Sequence, residues 1–171
     1  MIFNLPKVKS FRNNYRSNFD NQINQNNNVT LNDCFCYNQH TEIFTEYNCN
    51  ICHQSYDSEF TSRIYSSPNV LILILDRGKN NEYKNKVEFT ETLDLTQFVI
   101  VKDSSQIIYN LYGVITYVEQ NGSNTHYIGF CKSPINNKWY KYNDSIVSPV
   151  EDVQKEIINF DTPNILFYHK I

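Results

Sequence analysis

The stretch YNLYGVITYVEQNGSNTHYIGFCKSPINNKWYKYNDSIVSPV, residues 109–150, decides how this chain folds. Residues 106–120 are rich in Ile, Val and Tyr, and 125–132 and 138–143 repeat the pattern after turn-forming clusters. β-branched and aromatic side chains suit a pleated, half-buried surface, so three consecutive antiparallel strands are expected. With the SPINNK turn centred between Pro134 and Ile135, Cys131 opposes Lys138, Gly129 opposes Tyr140, and His126 opposes Asn143. Directly opposed residues have Cβ atoms about 5 Å apart, within reach of an imidazole and a side-chain amide. Asp144 falls one step out of phase and is expected on the other face, a preference that a bulge in the loop would reverse.

An imidazole facing a small polar acceptor suits acyl transfer by a cysteine nucleophile. The ring takes the thiol proton, and the acceptor holds the hydrogen on the other ring nitrogen. A neutral Asn suffices for that. Hairpin geometry alone leaves a second reading open, a strand histidine bonded to a loop amide for stability only.

Further strands are expected at NVLILILD (69–76), KVEFTETL (86–93), QFVIV (97–101) and NILFYHK (164–170). The first is a continuous apolar run of the kind buried on both faces. TLND at 30–33 spells a helix start, with Thr30 as cap, Asp33 three residues on, and Leu31, Cys34 and Phe35 as the apolar face. SPVEDVQKEIINF (148–160) predicts a second short helix, capped by Ser148, with Pro149 first and Glu151 closing a capping box. Residues 13–28 are half Asn and read as an arm that cannot offset its ordering entropy. The fold class is α+β with a mostly antiparallel sheet.

A chain of 171 residues is long enough for one domain with a real core. Its net charge of −3 speaks against a nucleic-acid partner. Lys7, Lys9, Arg12 and Arg16 read as a solvated arm. The longest apolar run, VLILIL at 70–75, is too short to span a bilayer, and the N-terminus has no signal-peptide core. No membrane partner is expected, and the location is expected to be intracellular, cytoplasmic or nuclear. Five Cys, an odd number, argue for thiols or metal ligands over a disulfide framework. Cys49-x-x-Cys52, inside YNCNICHQ (47–54), is half of a tetrahedral zinc site, with His53 as a further ligand.

The quoted stretch, followed by NILFYHK, resembles the C-terminal half of a ubiquitin-specific protease, or ubiquitin carboxyl-terminal hydrolase. Shared features are the YxLxGVI strand, the His-Tyr strand, the Trp-Tyr-x-φ-Asn-Asp strand and a closing strand with LFY. PNVLILILDRGKNNEYKNKVEFTETLDLTQF resembles the family's PxVLxIxLxRF…VxFPxxLDL segment, and TLNDCF…FTEYNCNICHQ its finger region. The likeness covers about residues 30–171, with an echo in IFNLPK. It implies a papain-like cysteine protease fold, with residues 1–29 an Asn-rich, partly disordered segment, 30–66 fingers and 67–171 palm.

Carried over residue by residue, His126 matches the family's general base, Asn143 the third triad member, and Asp144 a neighbouring acid that also supports catalysis. The implied activity is thiol-dependent hydrolysis of the bond after the C-terminal Gly of ubiquitin, with ubiquitin or ubiquitinated proteins as partners. No cofactor is required, and the family's structural zinc has here only the Cys49 and Cys52 half of its usual ligands. Three positions depart from the pattern: Thr125 stands for Gly, Gly78 for Phe, and Thr90 for Pro. The family's nucleophile lies in a far N-terminal Gly-Asn-x-Cys segment that has no counterpart in these residues, so the thumb that carries it is expected to be absent. The alternatives are a non-catalytic ubiquitin-binding pseudo-enzyme and a truncated relic.

Overall fold

A computed structural model describes residues 1–17, 28–101, 106–120, 124–159 and 162–171. In chain order its elements are β1 (Ile2–Asn4), α1 (Leu5–Ser17), β2 (Val29–Thr30), α2 (Leu31–Asn38), β3 (Thr41–Asn48) and β4 (Ser55–Thr61). There follow β5 (Ile64–Ser66), β6 (Val70–Asp76), β7 (Val87–Glu88), β8 (Thr92–Asp94), β9 (Val99–Val101) and β10 (Ile108–Gln120). The chain closes with β11 (Asn124–Lys132), β12 (Trp139–Asn143), β13 (Ile146–Pro149), a π-helical turn at Gln154–Ile158, and β14 (Pro163–Lys170).

Among the described residues, one eight-stranded sheet runs in the order β1-β6-β14-β10-β11-β12-β13, with β8 joined to β10. Its pairings are antiparallel except that of β1 with β6. The α+β class read from the sequence is the class observed. Side chains alternate across each strand, so one face collects Leu71, Leu73 and Leu75 with Val114, Ile128, Phe130, Trp139, Leu166 and Tyr168, all buried. Against it pack Leu5 and Val8 of α1 and Leu31, Cys34 and Phe35 of α2. The aromatic rings of Phe3, Phe35 and Phe98 meet with successive centroids 5.1 Å apart. α2 starts where the sequence places it: Asp33 N–H donates to Thr30 Oγ1 (3.1 Å) and Thr30 N–H to the Asp33 carboxylate (2.9 Å).

Five expectations need correction. Residues 13–17 continue α1 instead of opening a flexible arm; residues 18–27 of that expected arm lie outside the described residues. The helix forms because Asn4 Oδ1 caps it, accepting from Lys7 N–H at 3.1 Å. Leu5, Val8 and Arg12 then share a face that buries in the core. Arg12 is thus no solvated cation: it is 7% exposed, 3.8 Å from the Asp33 carboxylate, and donates to the Asn28 carbonyl.

β6 is not buried on both faces, since Val70, Ile72 and Ile74 remain 51%, 43% and 37% exposed. KVEFTETL yields only the short β7 and β8. Ser148 and Pro149 cap no helix. They pair with Lys141 and Tyr140 in β13, where a sheet edge tolerates a proline without N–H. The later helical turn is capped by Asp152, whose Oδ1 accepts from Lys155 N–H at 3.0 Å.

The LDRG segment ends β6 with a clamp. Arg77, 3% exposed, donates to the carbonyls of Tyr83 (3.0 Å), Asn85 (3.1 Å) and Pro163 (3.1 Å), fastening the loop after β6 to the start of β14. The next residue must turn away sharply, and Gly78 does so at φ 79°, ψ −176°. That region is open almost only to glycine. A Cβ there would also lie 2.5 Å from Glu82 Oε1 and 2.8 Å from the Pro6 ring. The substitution of Gly for the family's Phe is therefore a backbone requirement of this chain. Gly78→Ala is expected to lower stability by about 1–3 kcal/mol, read as a shift in the chemical denaturation midpoint at unchanged slope. A midpoint equal to wild type would show that the loop relaxes freely.

Candidate active site

β11 and β12 carry the two residues singled out in the hairpin. Their observed register pairs Gly129 with Tyr142, Cys131 with Tyr140 and Lys132 with Trp139. Each expected partner is thus displaced by two residues along β12. The turn is longer than the arithmetic assumed: Ser133 N–H donates to the Lys138 carbonyl (2.9 Å), and Asn137 N–H returns to the Ser133 carbonyl (2.9 Å). Asn137 takes the left-handed conformation (φ 56°) that closes the loop.

A slip of two residues leaves side-chain parity intact, so His126 and Asn143 still project from the same face. They meet as diagonal neighbours, which long and aromatic side chains can bridge. His126 Nε2 and Asn143 Oδ1 lie 2.5 Å apart. Val118 of β10 stands opposite His126 on its other side. The ring sits on the core-facing side of the sheet, in phase with buried Ile128 and Phe130, and keeps 21% of its surface.

Asp144 does not face away. It has left the strand: with β12 and β13 joined by Asp144 and Ser145, it sits at φ 53°, where strand alternation no longer applies. Its Oδ2 comes within 3.8 Å of the same His126 Nε2, while 81% of its side chain stays exposed. The sequence carried this signal only as an Asn-Asp-Ser turn cluster, whose acidic residue tolerates the left-handed region.

Both neighbours of Nε2 are acceptors, an amide oxygen and a carboxylate. The ring therefore carries its hydrogen on Nε2 in the neutral state, and the Nδ1 lone pair is the base. This is the division of labour needed to take a proton from a thiol. Asn143→Ala should remove about 1 kcal/mol of this preference, roughly a fivefold change in tautomer ratio read from imidazole nitrogen NMR shifts. An unaltered ratio would assign the tautomer to Asp144.

The five cysteines fall into three settings. Cys34 is fully buried in α2, where burial and the Asp33 carboxylate push its thiol far up. Cys36 is exposed on the same helix, and its thiol is also raised by burial and by Asp33. Cys131 lies five residues from His126 along β11 and on the opposite face, about 16 Å away at the usual strand rise. Cys49 and Cys52 occupy the turn between β3 and β4. Hydrogen bonds from the Cys52 and Ile51 backbone N–H groups, and from the Cys52 thiol, hold the Cys49 thiol below its ordinary range. Among the described residues no group of three or more His, Cys, Asp or Glu is gathered around a point, so Cys49 and Cys52 supply two of the four ligands a structural zinc needs.

The family profile for ubiquitin carboxyl-terminal hydrolase matches residues 4–168. The chain belongs to this family. The likeness therefore starts in α1's approach, well before residue 30. Ubiquitin carboxyl-terminal hydrolase 8 of Saccharomyces cerevisiae is 29% identical over 137 residues, covering 71% of this chain and 28% of that protein. Human ubiquitin carboxyl-terminal hydrolase 17-like protein 6 is 29% identical over 105 residues, covering 60% and 26% respectively. The chain thus spans little more than a quarter of these relatives.

Among solved structures, the SAGA Ubp8/Sgf11/Sus1/Sgf73 DUB module bound to ubiquitin aldehyde matches with a TM-score of 0.66 and 26% identity over 84% of this chain and 34% of the other. A second form of that module, bound to monoubiquitin, matches with a TM-score of 0.67 and 27% identity over 84% of this chain and 33% of the other. The fold is accordingly the papain-like cysteine protease fold of deubiquitinase domains, with a mostly antiparallel sheet and few helices. Among the described residues, no helix is long and apolar enough to cross a membrane.

Proposed function

We propose that this chain is the histidine-bearing part of a deubiquitinating cysteine protease, which hydrolyses the bond after the C-terminal Gly of ubiquitin. The observation that carries this reading is the contact of His126 Nε2 with Asn143 Oδ1 at 2.5 Å, with Asp144 Oδ2 behind it at 3.8 Å. His126 Nδ1 takes the proton of an attacking thiol and returns it to the leaving amine. Asn143 fixes the ring, and Asp144 stabilises the imidazolium formed in between. Cys34 is sealed in the core with its thiol raised, and the Cys36 thiol is raised as well. Cys131 projects from the opposite face of β11, and Cys49 and Cys52 belong to the separate β3–β4 hairpin. These settings lead us to assign the nucleophile to sequence beyond these 171 residues. Ubiquitin is the partner this reading requires. The β3–β4 hairpin, which exposes Tyr56 (56%) and Phe60 (56%) on one face, offers apolar surface for holding it.

In the intact gene product containing this chain, His126→Ala should lower kcat/KM on ubiquitin with a fluorogenic C-terminal amide by at least about 10³-fold. Asn143→Ala should cost less, roughly 10- to 10³-fold, because Asp144 retains part of the orienting role. Asp144→Ala should cost least. Full activity in His126→Ala would sink the assignment.

The same placement of the cysteines favours one other reading, a non-catalytic module that binds ubiquitin. It predicts saturable chemical-shift changes in labelled ubiquitin titrated with the 171-residue chain, together with an intact gene product that fails to react with an electrophilic ubiquitin probe.

A further inference from the structure

Directly opposed residues of paired strands project to the same side of a sheet, so the pairings of the main sheet can be followed sideways from strand to strand. On the side away from the core, one row runs from Ile2 of β1 through Ile74, Ile165 and Ile115. It continues through Gly129 and Tyr142 to Val147 of β13, crossing seven strands without a charge. The next row, Ile72, Phe167, Gly113, Cys131, Tyr140 and Pro149, carries no charge either. An antiparallel sheet that keeps one face in water ordinarily sets polar side chains on it. This outer face does not.

Helices α1 and α2 cover the opposite, leucine-bearing face. On the outer face Ile2 (64%), Tyr127 (56%), Val147 (56%) and Tyr142 (43%) stay exposed, together with Val70, Ile72 and Ile74. These side chains leave on the order of 700 Å² of apolar surface open, more than the roughly 300–600 Å² patch of a typical monomer. It is close to the about 800 Å² that each partner gives to a standard interface. The face also has a hollow. The nearest atom to where a Gly129 Cβ would lie is Tyr142 Cβ at 3.9 Å, whereas the same place at Gly113 is filled by the Phe167 ring at 3.2 Å. A side chain from a covering layer can seat there, between Ile115 and Tyr142. An uncharged face does not repel its own copy, and a two-fold pair buries the same patch from each side. Two twisted sheets stack in this way about 10 Å apart, their strands within roughly 30° of each other.

We propose that the outer face of the main sheet is a self-association surface, on which a second copy of this chain docks face to face about a two-fold axis. His126 and Asn143 project from the other side of the sheet, so both candidate sites of the pair stay open.

Sedimentation equilibrium of the 171-residue chain over a range of concentrations should report a species of twice the 20.3 kDa of one copy. Ile72→Glu and Tyr142→Glu each place a charge on the face, twice over in a two-fold pair, and each should weaken association at least about 100-fold. Both side chains point away from the core, and an unchanged denaturation midpoint checks that the fold survives. Ile43→Glu, at an exposed apolar position on the β3–β4 hairpin, should leave association unaltered. In the wild-type chain Cys131 reports cover directly. It is exposed in a single copy, and its alkylation rate should fall at least about tenfold as the pair forms, while those of exposed Cys36 and Cys52 do not. A single-copy mass at every concentration would overturn the proposal, as would a pair that leaves Cys131 open or survives both glutamate substitutions. A gene product longer than these 171 residues that is single-copy yet shields Cys131 would overturn it as well, and would give the face to its own remaining sequence.

Discussion

The ladder along β10 holds this molecule together. Thirteen residues long, the strand bonds β14, β8 and β11, and every other part of the main sheet is reached through those neighbours. Because its partners are antiparallel, their side chains inherit its alternation. Val114 and Val118 fix which face is the core face, and β11 then has no freedom in presenting His126 on that same side. The candidate site is thus a property of sheet phase before it is a property of its own residues. Helices α1 and α2 complete the arrangement by covering the core face with Leu5, Val8, Leu31 and Phe35.

Phase explains why the His126–Asn143 contact was legible in the sequence although the register was not. A period-two pattern constrains a pairing modulo two residues, and the loop 133–138 decided the rest through backbone bonds that no side-chain pattern encodes. Asp144 escaped the same rule because it had left the strand. Local chemistry read well at Thr30 and Asp33, where two side chains and two N–H groups are enough to define a helix start. It read poorly at α1 and at Ser148, where tertiary contacts overrode composition: burial of Leu5, Val8 and Arg12 in one case, edge pairing with β12 in the other. The run 70–75 was read as doubly buried from its composition, yet only the leucines face the core.

The departures from the family pattern have unequal physical weight. Gly78 is tied to its neighbour, because Arg77 spends its guanidinium on three carbonyls and the chain must turn directly after it. A buried cation is tolerable there only because backbone oxygens replace its water. At Thr90 the hydroxyl donates to the Thr92 carbonyl, and the Thr90 carbonyl itself accepts from Tyr168 Oη at 2.7 Å, linking the segment between β7 and β8 to the closing strand. The position that a proline would stiffen is held by hydrogen bonds instead.

The turn at Asp144 has an evolutionary corollary. A left-handed residue in a two-residue hairpin is satisfied by Asp, Asn or Gly at nearly equal folding cost. Exchange among these three changes the charge beside His126 without changing the path of the chain. Position 144 is therefore a place where the electrostatics of the site can drift while the scaffold stays indifferent, a dial that mutation can turn in single steps. The neighbouring position has no such latitude, because Asn143 is both a strand residue paired with Ile146 and the acceptor for the imidazole.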